Sequence, residues 1–339
     1  MATNNRIFYA CQAVAICPRG TTTVGANHVV RGAQSVGMTS TFTLDQVFEL
    51  GQLEIYENVE EVADVEVNIE KVIDGQRLLF DLASDGACKT SLTSAAKTRS
   101  DVYVAIFDDG QDNATGVPKQ VCMNSGMFIS SISYNYSVDG SATESISLVG
   151  NDRFWNAVSN VVADPSVSFP DDLANSLFDG ADEAPSGVVR RANLNLTGSS
   201  SVIPAEVISN AGDDAVGNGG AYHIQSVSVS ADFGNESIQE LGRFGPFTRY
   251  ATFPIEVTCE FEVSATKGDL VNVSGNAQNL QNRQIVLQDD AGTIINLGSK
   301  NKLTSVGYTG GDTGGGNATM TFSYSNFNSL LVDGGSYSS

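Results

Sequence analysis

The chain has 339 residues, 41% hydrophobic and 17% charged, and its Asp and Glu (39) outnumber Lys and Arg (18) to give a net charge of −21. That length can bury a core without staples and is a prior for about two domains, while the steady recurrence of aliphatic and aromatic residues argues against wholesale disorder. No run approaches the ~18 apolar residues of a membrane-spanning helix, and the negative charge argues against tight nucleic-acid binding by phosphate neutralisation, though not against a surface that nucleic acid slides past.

In chain order, residues 7–17 come first. They have the apolar character of a leader core, but Gln12 interrupts them, Arg6 is the one charge just before them, and no small-x-small site follows. A strand is expected there. Period-two alternation then marks four strands. Val65, Val67 and Ile69 alternate with Asp64, Glu66, Asn68 and Glu70. Ile132, Tyr134, Tyr136 and Val138 alternate with serines and Asn135. Val227, Val229, Ala231 and Phe233 alternate with serines and Asp232. Ile255, Val257, Cys259, Phe261 and Val263 alternate with Glu256, Thr258, Glu260 and Glu262. Asp139-Gly140 signals a tight hairpin. Helix signals are confined to residues 153–162, with Phe154, Ala157, Val158 and Val161 on one face, and to residues 171–178. The class is therefore all-β with few short helices.

An internal repeat organises the chain. Residues 34–51 and 225–242 share Gln34/Gln225, Ser35/Ser226, Val36/Val227, Phe42/Phe233, Glu49/Glu240, Leu50/Leu241 and Gly51/Gly242 at a constant offset of 191. Four further blocks follow in the same order: the acidic strands from Val65 and Ile255, residues 104–109 with 285–290, 131–134 with 305–308, and 142–147 with 318–323. Two tandem related β domains are expected, at 1–160 and 188–332. A Pro- and Asp-rich linker at 161–187 joins them, and a flexible Gly/Ser tail at 333–339 ends the chain.

Chemistry is scarce. His28 and His223 are the two imidazoles, and neither has a nucleophile setting. Cys11, Cys17, Cys88, Cys122 and Cys259 are odd in number and form no CxxC or Cys/His set. Buried free thiols of a protein folded in a reducing cytoplasm are expected. Asp108, Asp109 and Asp112 lack the spacing of a calcium loop and read as a turn. Residues 309–317, TGGDTGGGN, lack the Lys of a phosphate-binding loop and read as an expanded hairpin tip. No cofactor or metal is expected, and no enzyme. The acids Glu66, Glu70, Glu256, Glu260 and Glu262 describe a charged strand face, either a solvated one or an acidic wall facing something specific. Arg243, Phe244, Phe247, Arg249 and Tyr250 form a basic-aromatic loop that suits a subunit contact better than base stacking.

Residues 239–260, QELGRFGPFTRYATFPIEVTCE, resemble a tail tube (major tail) protein of tailed bacteriophages, as do Tyr103–Asp109 and the hairpin around Asp139-Gly140. The resemblance spreads over most of the chain except about 161–220. It implies a β-sandwich or barrel tube domain whose extended hairpins join those of neighbours into an inner barrel. Rings would stack into a virion tail conduit for DNA ejection, assembled in the host cytoplasm. Its partners would be copies of itself, with sheath, tape-measure and baseplate proteins as further candidates, DNA as transiting cargo and no membrane. Many members carry one such domain per chain, so two copies here imply a ring of three chains with pseudo-sixfold symmetry, the alternative being six chains per ring. A baseplate or tail-terminator ring is the main rival reading, and a secreted acidic carbohydrate-binding module or enzyme the weaker one.

Overall fold

The computed structural model describes residues 6–21, 26–109, 118–157, 187–194, 201–210, 223–269, 271–275, 280–311, 313 and 316–334. All of the expected linker except Gly187, the helix expected at 171–178, Asp112 and residues 335–339 lie outside them.

The elements in chain order begin with β1 (Gln12–Pro18), β2 (Ala33–Thr41), β3 (Leu44–Phe48), β4 (Ile55–Glu60) and β5 (Asp64–Val72). The helical turns α1 (Leu79–Ala83) and α2 (Leu92–Ala95) lead to β6 (Ser100–Ile106), β7 (Gln120–Ser137), β8 (Thr143–Gly150) and β9 (Asp152–Ala157). After α3 (Ala205–Asn210) come β10 (Ile224–Asp232), β11 (Asn235–Ile238), β12 (Thr248–Ala251) and β13 (Glu256–Ser264). The chain closes with β14 (Val286–Gln288), β15 (Thr293–Asn296), β16 (Lys302–Thr309), β17 (Thr319–Phe327) and β18 (Leu331–Gly334). The protein is thus mostly β with few short helices.

One antiparallel path, β16-β17-β13-β10-β7-β8-β5-β2, crosses the molecule. Alternation decides its two faces. In both β5 and β13 every second residue is buried, Val65, Val67 and Ile69 in the first and Val257, Cys259, Phe261 and Val263 in the second. These side chains belong to one continuous apolar core that also takes in Leu79, Phe80, Leu148 and Phe322. β7 is long enough to serve two sheets: its first half pairs with β6 and β9, its second with β8 and β10. A smaller core of Ala13, Ala15, Tyr103, Phe107 and Met123 lies on the other side of β1 and β6, which leaves β6 buried at every position.

The strands of the path repeat their ladder registers. Met38 faces Val67 as Val229 faces Cys259, Ile69 faces Ile146 as Phe261 faces Phe322, and Tyr134 faces Glu144 as Tyr308 faces Met320. Register shifts fall at matching places, between Ala33 and Ser35 and between Ile224 and Ser226. They also match between Ile129 and Ser131 and between Leu303 and Ser305. These registers match Val65 with Val257, two residues beyond the Ile255 expected from sequence; a shift of two keeps every side chain on its face. The two halves share one sheet and one core. The described strands form an open path ending at β2 and β16, with no closed barrel among the described residues.

The helix expected over residues 153–162 is corrected in its described part: Asp152–Ala157 is strand β9, with Trp155 opposite Cys122 on β7. The free edge of the first half of β7 supplies hydrogen-bond partners that outweigh a marginal helical spacing. Asp139-Gly140 turns between β7 and β8, and the Gly-rich run joins β16 to β17. Asp333 belongs to β18, opposite Ile294. All five cysteines are buried and free, and burial pushes the Cys17 and Cys88 thiols up to about 12.

Candidate functional site

The sheet presents one bare face. Thr39 lies opposite Glu66 and Ser35 opposite Glu70. Ser228 lies opposite Glu260, Ser226 opposite Glu262, and Asp232 opposite Glu256. The five glutamates singled out from the sequence therefore share one face, together with Asp64 and Asp232 and a field of small hydroxyl side chains. Glu66, Glu256 and Glu260 are exposed, while Glu70 and Glu262 are half-buried. The hydroxyls orient the carboxylates: Ser147 donates to Glu66 (3.2 Å), Ser226 to Glu262 (3.1 Å) and Ser323 to Glu260 (3.4 Å), and the Asn68 amide donates to Glu66 (3.0 Å). Lys302, across from Ser325 at the β16 edge, is a basic group on this face. The face is acidic and carries many short hydroxyl side chains.

Two hairpins project from one end of the path. β3–β4 and β11–β12 have the same register at offset 191: Leu44 faces Glu60 as Asn235 faces Ala251. Their tips repeat Glu-Leu-Gly. Gly51 (φ 96°) and Gly242 (φ 82°) sit in the left-handed region that favours glycine, and this throws Leu50 and Leu241 fully into solvent. Phe42, Phe48, Leu53 and Tyr56 are exposed on the first hairpin, and Ile238 on the second. Exposed apolar side chains of this size are of the kind that interaction surfaces use.

The basic-aromatic loop divides its contacts. The Arg249 guanidinium pairs with Asp64, and its Nε donates to Asn151 Oδ1 (3.1 Å), so this residue ties the second half to the first within the chain. Arg99 reinforces the seam through Thr248 Oγ1 (2.9 Å). Arg243 lies over the Phe247 ring (5.9 Å), and the Tyr250 hydroxyl donates to Glu236 (2.8 Å). Phe244, Phe247 and Tyr250 remain exposed. Arg19, Arg99, Arg243 and Arg249 line a cleft of about 550 Å³ beside Phe128 and Phe247. Replacing Arg249 by Ala is expected to lower unfolding stability by about 1 kcal/mol, because its Asp64 partner is largely exposed. Phe247→Ala is expected to leave stability intact and to weaken self-association by ~1–4 kcal/mol. Urea unfolding and sedimentation of the two variants separate these effects, and the reverse pattern would refute the assignment.

A buried polar network sits where the first half differs from the second. Glu144 is fully buried and accepts from the amides of Leu79 (2.6 Å) and Phe80 (3.0 Å) and from the Tyr134 hydroxyl (2.9 Å). Burial raises its pKa above the ordinary carboxylate value, against the opposing pull of Lys71 and these three donors. Lys71, its cross-strand neighbour, is buried as well and donates to the Arg77 carbonyl (2.7 Å). Val263 and Met320 occupy the matching positions of the second half. The network holds the start of α1 against β8. Among the described residues no group of His, Cys, Asp and Glu converges as a metal site.

Sequence reasoning missed the two edge strands. Val36 and Met38 on β2, and Leu303 and Val306 on β16, only partly join the core, and Tyr308 is 58% exposed. The repeat already paired 131–134 with 305–308, so the contrast was open to view once the sheet order was known.

No family model matches the chain, and no curated protein matches it. Among solved structures, a chain of the anti-feeding prophage baseplate, 6-fold symmetrised, is 12% identical with a TM-score of 0.34, covering 47% of this chain and 100% of that one. A chain of the anti-feeding prophage tube-terminating cap gives 12% and 0.34 over 47% of this chain and 95% of that one. The similarity is weak, and it is to tail-apparatus components, a baseplate and a cap, rather than to a tail tube in particular.

Proposed function

We propose that this protein is a non-catalytic structural subunit of a phage-tail-type apparatus, and that three chains close into a ring whose acidic face lines a conduit for DNA. The observation that carries the reading is the continuous bare sheet face. Glu66, Glu70, Glu256, Glu260 and Glu262 stand on it among serines and threonines, over a core that buries the opposite face. A wall that DNA must slide along has to repel phosphate rather than bind it, and short hydroxyl side chains give it nothing to catch on.

In this reading the register-matched halves, 1–160 and 188–332, act as two copies of one unit, so six units need three chains and a ring carries 3 × −21 = −63 charges. The exposed hairpin tips serve contacts between rings, which favours a stacked tube. A single baseplate or terminator ring is the second reading, in keeping with the setting of the two similar chains.

Electron microscopy of the purified protein tests this. Rings with true threefold and pseudo-sixfold symmetry are expected. Tubes favour stacking and lone rings favour the terminal position. A ring of six chains, or a protein that stays monomeric at high concentration, overturns the proposal.

A further inference from the structure

The eight-stranded path has a seam inside the chain, where β10 of the second half pairs with β7 of the first. The matched registers make β10 the counterpart of β2, and β7 the counterpart of β16. The seam therefore joins a β2-type edge to a β7-type edge, and the two strands left open at the ends of the path, β2 and β16, are again one of each type. The contact is heterologous, so it can be repeated from chain to chain.

Burial shows what is missing at the open ends. At the seam Tyr134 and Val229 face each other, each 1% exposed. Their counterparts are Tyr308, 58% exposed, and the half-buried Met38. An open edge with half-covered apolar side chains is a template for another strand.

We infer that β2 of one copy adds antiparallel to β16 of the next in the register of the internal seam, with Met38 opposite Tyr308, Thr39 opposite Gly307, and Thr41 opposite Ser305. The inference rests on the ring reading and specifies its chain-to-chain contact. The two seams differ in one respect. Arg249 pairs with Asp64 across the internal one, whereas the matching positions between copies hold Asn58 and Glu256, with no guanidinium. The chain-to-chain seam is the weaker of the two, and the assembly opens there.

Cysteine cross-linking of the full-length protein tests this, since the native thiols are buried and Thr41 and Ser305 are exposed. An equimolar mixture of the single variants Thr41→Cys and Ser305→Cys is expected to give a disulfide-linked dimer under mild oxidation. A mixture of Ser35→Cys with Ser305→Cys, held about 20 Å apart by the register, is expected to link at least tenfold less. Asn58→Arg, placing a guanidinium beside Glu256 of the neighbour, is expected to lower the concentration at which copies associate several-fold. Rings seen by microscopy without preferential linking of the matched pair would overturn the edge contact and leave the ring reading standing. Absence of both linking and assembly at high concentration would overturn the two together.

Discussion

Glu144→Met is expected to destabilise the fold by about 3–5 kcal/mol, although Met320 occupies the matching position in the second half without harm. The difference lies in what surrounds each residue. Residues 73–99 bring the start of α1 against β8, so the amides of Leu79 and Phe80 point at Glu144 away from water. Removing the carboxylate strands both amides and the Tyr134 hydroxyl, at about 1–3 kcal/mol for each buried group left unsatisfied, while the buried Lys71 ammonium keeps its ion pair with Asp74 (3.4 Å). Glu144→Gln keeps an acceptor and is expected to cost less. The pH dependence has a definite sign. Because burial raises the folded-state pKa of Glu144 above its ordinary value of 4.5, the folded chain holds that proton more tightly than the unfolded chain. This contribution to stability is complete below the unfolded value and is lost as the pH rises through the folded one. Urea unfolding across this range reads it. The Gln variant is expected to remove that slope, and an unchanged slope would show that another group produces it.

The legible part of the molecule is the part in which one pattern repeats. Alternation in Asp64–Val72 and Glu256–Ser264 reveals both the strands and their wet faces, because a half-buried strand has no other way to satisfy its two sides. The shared Glu-Leu-Gly marks equivalent positions from sequence alone, and the structure shows that they are hairpin tips, with glycine at the positive φ that follows the leucine. Residues 153–162 misled because Phe154, Ala157 and Val158 satisfy a helical spacing, and the deciding fact, an unpaired flank on β7, is not local. The same limit applies to Arg249. Its composition suits an interface, but only the fold reveals that its guanidinium meets Asp64 of the same chain. Glu144 carries no local sign of its role. Its parity with Ile146 and Leu148 places it on the core side, and the insertion that feeds it two backbone donors lies more than sixty residues upstream.

Replacing Glu66, Glu70, Glu256, Glu260 and Glu262 together by Lys is expected to turn the assembled protein from one that ignores DNA into one that holds it. Each substitution changes the charge by two, so a chain goes from −21 to −11, with all of the change on one sheet face. The fold should survive, because these side chains stand on the bare side of β5 and β13, and the hydroxyl contacts they lose are solvent-accessible. The sheet core beneath, Val65, Val67, Cys259 and Phe261, is untouched. Affinity for duplex DNA should then fall with salt at a log–log slope of about −0.9 for each phosphate neutralised, whereas the unmodified assembly should show no binding to titrate. Where the DNA lies separates the two meanings of the acidic face. If the face lines a conduit, the DNA held by the Lys variant is enclosed, and a segment of it resists nuclease as long as the rings stay intact. If the face is an outer wall, the same Lys residues bind DNA just as tightly but leave it open to digestion. Bound yet fully digestible DNA would place these carboxylates outside and end the conduit reading, even with the ring itself unchanged.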